Sequence, residues 1–165
     1  MFLAHARILP GQTGHTAGRA LLKDMYEKHI GKPLPQILIG ERGKPYFAEG
    51  GWHFSISHTP KNVFCVLSEF PVGLDAEEAD REANLALAEK ILSPAEKIQF
   101  DAATDKRQAL LTFWVLKEAA VKLTGEGLRG YPKKNDFRLD DPRVQKLNGC
   151  LVAVFEDKKE KSNVI

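Results

Sequence analysis

The order of its periodic segments constrains this chain more than any other feature. Phe2 to Leu9 alternates apolar and small residues, as a strand does, and closes at Pro10 and Gly11. From Gly14 to His29 the apolar residues Ala17, Leu21, Leu22, Met25 and Tyr26 recur at helical spacing, with Gly31 as the stop. Ile37 to Ile39 reads as a short strand running into the turn-like Glu41-Arg42-Gly43-Lys44-Pro45. Three β-type runs follow, His53 to Ser57, Val63 to Leu67 and Val72 to Ala76, parted by Thr59-Pro60 and Phe70-Pro71. The second half turns helical. A helix is expected from Arg81 to Leu92, and Ser93-Pro94-Ala95-Glu96 supplies an N-cap, a first-position proline and a capping-box glutamate for the next. A long helix runs from Asp105 to Thr124 and ends at Gly125 and Gly127, with strands again at Phe137 to Leu139 and Cys150 to Phe155. Strands and helices do not alternate regularly, so the order favours an α+β fold over a doubly wound sheet. Its partial repetition points to two similar lobes.

A chain of 165 residues, 43% hydrophobic, suits one domain with a real core rather than a disordered or fibrous polymer. No apolar run approaches the roughly 20 residues of a spanning helix, and the opening Met1 to Gly11 is too short and polar for a signal peptide. Cys65 and Cys150 are two and far apart, which fits a reducing, cytoplasmic compartment better than a disulfide framework. The net charge of +2 argues against a protein that coats nucleic acid. That small sum hides an arrangement: +3 over residues 1–70, −4 over 71–108 and +3 over 109–165. The acid is concentrated in Asp75, Glu77, Glu78, Asp80 and Glu82. A solvated acidic loop explains it, and so does a cation site with basic groups nearby.

Asp75 and Glu77 stand two apart on an expected strand, so their carboxylates share a face. Like charges so placed need a cation or protons, unless the strand end is simply wet. On the helix from Asp105, Leu110, Phe113, Trp114, Ala120 and Val121 form the apolar stripe, and Glu118 and Lys122 are neighbours beside it. They read either as an ordinary ion pair or as a further carboxylate for a metal with a cation one turn on. Lys117 falls inside the apolar arc, where it must snorkel, pair with a buried acid or meet a ligand anion, snorkelling being the default. His58 ends a strand beside a turn. Zinc spacing, a G-x-S-x-G elbow, a Walker A loop and a G-x-G-x-x-G run are all absent from the sequence.

Taken together, Gly18-Arg19-Ala20-Leu21-Leu22, Gly43-Lys44-Pro45, Phe54-Ser55-Ile56-Ser57-His58, Val72-Gly73-Leu74-Asp75-Ala76-Glu77, the run Phe113 to Lys122 and Gly125-Glu126-Gly127-Leu128 resemble the 4'-phosphopantetheinyl transferases of the monomeric, surfactin-synthetase type. The specific part is G-x-D-x-E followed some forty residues on by W-x-x-K-E-A-x-x-K. The resemblance implies two α/β lobes related by a pseudo-two-fold, about 1–79 and 80–165 within one domain, with the site in the cleft. It implies transfer of phosphopantetheine from coenzyme A to a serine of an apo acyl or peptidyl carrier protein, with release of 3',5'-ADP. Asp75, Glu77 and Glu118 would hold Mg²⁺, or Mn²⁺ in its place. Glu118 would be the base, directly or through a metal-bound water, and Lys122 would stabilise the leaving phosphate. Arg19, Lys44, Ser57 and His58 match positions that contact coenzyme A. No nucleic acid or membrane partner is implied.

The family has a longer basic segment ahead of the Gly-Arg element, whereas 18 residues precede Arg19 here, so a reduced nucleotide cradle is expected. Ala20 stands where relatives often carry a hydroxyl, and the region after Leu128 is short. Lys133 and Lys134 could meet an acidic carrier surface in fatty-acid, polyketide or peptide synthesis. Two competing readings are a non-catalytic coenzyme A or carrier-binding module and a metal-dependent phosphohydrolase.

Overall fold

The computed structural model describes residues 1–125 and 136–158. Strand β1 (Phe2–Arg7) leads into helix α1 (Gly14–Ile30), whose start is a capping box: the Thr13 hydroxyl accepts from the Thr16 N–H, and the Thr16 hydroxyl from the Thr13 N–H. Gly31 ends the helix at φ 71°, which glycine adopts without a Cβ clash. A hairpin of β2 (Ile37–Ile39) and β3 (Pro45–Phe47) follows, so the expected turn at 41–45 is shorter than the sequence indicated and gives way to a strand at Pro45. Next come β4 (His53–His58), β5 (Asn62–Ser68) and β6 (Val72–Glu78).

β5 is buried along its whole length and is the centre of an antiparallel sheet ordered β1-β5-β4. Its side chains alternate between two cores, as a period of two requires. Cys65 and Leu67 face Leu22, Met25 and Tyr26 of α1, whereas Phe64 and Val66 pack with Val72, Leu74 and Ala76 of β6. β6 does not join that sheet. It pairs antiparallel with β8 (Cys150–Glu156), which also pairs with β7 (Val144–Leu147). Asp75 and Glu77 therefore stand on a strand of the second sheet.

The helix expected over 81–92 is replaced by a 3-10 turn at Leu85–Leu87 and a short helix α2 (Ala88–Ile91). Two interactions hold the earlier residues out of a helix. The Asn84 side chain accepts from the Ala86 N–H and starts the turn there, and the Arg107 guanidinium takes the carbonyls of Ala79 (2.6 Å) and Arg81 (3.2 Å). Helices α3 (Pro94–Ala102) and α4 (Lys106–Thr124) follow, the first with its expected N-cap Ser93, the second capped by Asp105 one residue before the helix begins, and Gly125 closes α4 at φ 71°.

Phe137 to Leu139 is not a strand. Its backbone groups are taken by side chains of α3: Glu96 accepts from the Phe137 N–H, Gln99 accepts from the Leu139 N–H and donates to the Phe137 carbonyl, and Leu139 already lies in a turn. Glu96 also explains Lys117. The lysine does not snorkel; its ammonium lies 2.7 Å from the Glu96 carboxylate, with side chains 4% and 0% exposed. One buried carboxylate thus ties the start of α3, the middle of α4 and the Phe137 segment. Removing one partner strands a buried charge. Lys117→Met should cost about 3–5 kcal/mol, and the double variant Lys117→Met/Glu96→Gln should recover part of it. Urea midpoints of the three proteins check this, and an equal loss in single and double variants would contradict it.

Candidate active site

β4 and β6 run side by side without a backbone ladder, and serine hydroxyls join them instead. Ser55 Oγ accepts from the Leu74 N–H at 3.0 Å and Ser57 Oγ from the Ala76 N–H at 3.1 Å. The two serines point at β6 because residues two apart share a face. Ser57 does more. Its hydroxyl donates to Asp75 Oδ1 at 2.9 Å and accepts from Lys122 Nζ at 3.2 Å, which uses its one proton and both lone pairs. Lys122 Nζ lies 2.7 Å from the same Asp75 oxygen, so the lysine reaches across to the strand.

That reach depends on Gly73. A Cβ on residue 73 would stand 2.0 Å from the Ala119 carbonyl oxygen and 2.4 Å from the Leu123 nitrogen. Only glycine lets the backbone of α4 lie against β6 this closely, and the close approach brings Glu118 and Lys122 to Asp75. The glycine of G-x-D-x-E is therefore a packing residue.

Burial pushes the Asp75 carboxyl up. The Lys122 ammonium and the Ser57 hydroxyl pull against that shift, and Glu77 adds to it. The Glu118 carboxyl is also raised, first by burial and then by Asp75, with Lys122 opposing and Glu77 contributing. Three carboxylates thus feel one another across the seam, and Glu77 is held by Arg81 at 2.5 Å. Among the described residues no three His, Cys, Asp or Glu side chains form a ready-made metal cage. The donor chemistry still fits a hard divalent cation such as Mg²⁺, since all three groups are carboxylates whose mutual repulsion a cation would relieve.

The other expected residues surround this centre at different ranges. Lys44 lines a cleft of about 290 Å³ with Ser55 and Lys122, and its ammonium donates to the carbonyls of Leu123 (2.6 Å) and Val72 (3.2 Å). Arg19 and His58 meet in a second cleft, of about 300 Å³, which shares Gly43, Pro45 and Ile56 with the first. That cleft also exposes Gly14 and His15, which sequence reasoning passed over; the Thr13 cap just ahead of them was the available signal. The ordinary Glu118–Lys122 pair gives way to the Lys122–Asp75 contact. Ala20 is exposed on α1. Glu126, Gly127, Leu128, Lys133 and Lys134 lie outside the described residues.

The family model of the 4'-phosphopantetheinyl transferase superfamily matches residues 71–162, more than half of the chain. The chain belongs to that superfamily. It is 31% identical over 147 residues to the 4'-phosphopantetheinyl transferase gsp of Aneurinibacillus migulanus, an alignment covering 87% of this chain and 58% of the relative. Over 114 residues it is 40% identical to the 4'-phosphopantetheinyl transferase AcpT of Escherichia coli (strain K12), covering 66% and 56%. Over 123 residues it is 30% identical to the 4'-phosphopantetheinyl transferase HetI of Nostoc sp., covering 68% and 52%. The chain thus spans little more than half the length of these relatives.

Two variants test the geometry. Gly73→Ala should cost about 1–3 kcal/mol or more, because backbone rather than a pliable side chain blocks the new methyl; an unchanged urea midpoint would refute the close approach. Glu118→Gln should raise the melting temperature at neutral pH. A carboxyl raised in the fold costs nothing below the ordinary Glu pKa of about 4.3, and the penalty grows as pH rises through the folded value. Melting curves should therefore show the gain at pH 7.5 and lose it near pH 4.

Proposed function

We propose that this protein transfers the 4'-phosphopantetheine group of coenzyme A to a serine hydroxyl of an apo acyl or peptidyl carrier protein, releasing 3',5'-ADP. The observation that carries this reading is the seam itself: Asp75, Glu118 and Glu77 in mutual electrostatic range, with the Lys122 ammonium among them and basic clefts alongside. Phosphoryl transfer asks for positioning and charge neutralisation more than for covalent help, and this is what such a constellation offers.

Asp75, Glu77 and Glu118 would hold a divalent cation, Mg²⁺ by the donor chemistry. When bound, that ion would neutralise pyrophosphate oxygens and offset the three carboxylates. Glu118, half-buried on a helix face, would accept the proton of the carrier serine. The serine oxygen bonds to the phosphorus of the phosphopantetheine and the bond from that phosphorus to the 3',5'-ADP oxygen breaks. Lys122 then faces the charge on the departing phosphate. Ser57 fixes both Asp75 and Lys122, and Lys44, Arg19 and His58 bind the rest of the coenzyme. With this reading go two similar lobes flanking the site, a monomer and a cytoplasmic setting. Among the described residues no helix is long and apolar enough to cross a membrane.

The test is incubation with coenzyme A, Mg²⁺ and a panel of apo-carriers, read by mass spectrometry of the carriers. A phosphopantetheine mass gain is expected on at least one carrier. It should fall about 10²–10⁴-fold in Glu118→Ala and be lost in Asp75→Ala, both still folded by circular dichroism. Full activity in both variants would overturn the metal and base assignments. Free phosphopantetheine formed without a carrier would indicate hydrolysis instead. Coenzyme binding without any mass gain across the panel would indicate a binding module.

A further inference from the structure

A second cation besides Lys122 stands in the carboxylate seam. Glu77 Oε1 lies 2.5 Å from a guanidinium nitrogen of Arg81, and the Glu77 side chain is only 16% exposed. A carboxylate so far out of water needs a partner, and Arg81 supplies it. The two meet across a reversal of the chain: Glu77 is near the end of β6, and Arg81 follows the turn after it, its N–H donating to the Glu78 carbonyl at 3.0 Å. That turn is held from both sides. The Arg107 guanidinium of α4 takes the carbonyls of Ala79 and Arg81, and the Ala79 N–H donates to the Gly149 carbonyl at 2.9 Å. Arg81 is therefore aimed at Glu77 from a fixed backbone, while its own side chain, 53% exposed, has water to turn into.

With Lys122 on Asp75 and Arg81 on Glu77, two of the three carboxylates are already countered by side-chain cations. A divalent cation reaching the protein alone meets one uncompensated carboxylate rather than three, and it gains Glu77 only by displacing the guanidinium. Lys61 lines the same cleft as Arg81 and Glu77, but it faces Glu78 at 3.9 Å, so its charge does not occupy Glu77. We infer that Arg81 is a positioning residue that holds the Glu77 carboxylate until a divalent cation takes it, and that this competition sets how tightly the chain binds the cation. The inference rests on the reading of Asp75, Glu77 and Glu118 as the groups that hold the metal.

Titration of the full chain with Mn²⁺, read by water-proton relaxation, tests it without coenzyme or turnover. Arg81→Ala should bind Mn²⁺ about twofold to fivefold more tightly than the wild type, the worth of a half-exposed ion pair. Arg81→Gln, which removes the charge and keeps a hydrogen-bond donor for Glu77, should do the same, and circular dichroism checks that both variants are folded. Lys61→Ala removes an equal charge nearby and should stay within about 1.5-fold of the wild type, since exposed charges act weakly beyond their own partner. In a Glu77→Gln background, Arg81→Ala should likewise change binding by less than about 1.5-fold, because the coupled group is gone. Equal tightening in Lys61→Ala, tightening that survives Glu77→Gln, or no tightening in either Arg81 variant overturns the inference and leaves the metal reading in place. A Glu77→Gln protein that binds Mn²⁺ as tightly as the wild type overturns the metal reading of Glu77 and the inference with it.

Discussion

The site depends on a serine hydroxyl that has no lone pair to spare. Two sheets meet along β4 and β6, and neither strand offers the other a backbone ladder. Buried N–H groups on β6 would be left without acceptors, at about 1–3 kcal/mol each, were Ser55 and Ser57 not there to take them. Ser57 answers a second demand with the same oxygen: it holds the Asp75 carboxylate and the Lys122 ammonium in one cluster. Structural and chemical requirements therefore fall on one side chain. The approach of α4, permitted by Gly73, then determines which helical residues join that cluster.

The acidic middle of the sequence resolves into distinct uses. Asp75 meets Ser57 and Lys122, and Glu77 is clamped by Arg81. Glu78 turns inward and accepts from Thr59 at 2.7 Å and from Asn62 at 3.3 Å. Asp80 and Glu82 are exposed, as a solvated loop would have them. The solvated-loop reading holds for Asp80 and Glu82 and fails for Asp75 and Glu78, whose carboxylates are partnered. Alternation along a strand sends neighbouring acids to opposite surroundings, so a cluster in sequence is not a cluster in space.

Much of the architecture was legible because local signals decide it. The cap at Ser93, the stops at Gly31 and Gly125 and the helical stripe of α4 are all short-range features, and they form where the residues indicate. Asp75 and Glu118 stood out by residue type and spacing. What escaped notice was decided by partners distant in sequence. Lys117 looked like a snorkelling side chain until Glu96 was found beneath it. Phe137 to Leu139 has a strand's pattern, yet side chains of α3 take its backbone groups. β7 was missed because Val-Gln-Lys-Leu is half-exposed and polar, although Asn148-Gly149 carried a hairpin signal. Both residues have positive φ there, 50° and 78°. The turn chemistry was in the sequence, and the strand before it gave too little contrast.

The pairing of β6 with β8 has a consequence for synthesis. Val72 to Glu78 leaves the ribosome long before Cys150 to Glu156, so the strand bearing Asp75 and Glu77 must wait for its ladder partner while most of α4 is being made. An unpaired, valine- and leucine-bearing edge is a template for association with other nascent chains. The carboxylates at 75, 77, 78 and 80 make this one repel its copies during that interval, as charged gatekeepers do. The acids that β6 and the turn after it carry in the folded protein thus also protect the chain before it folds.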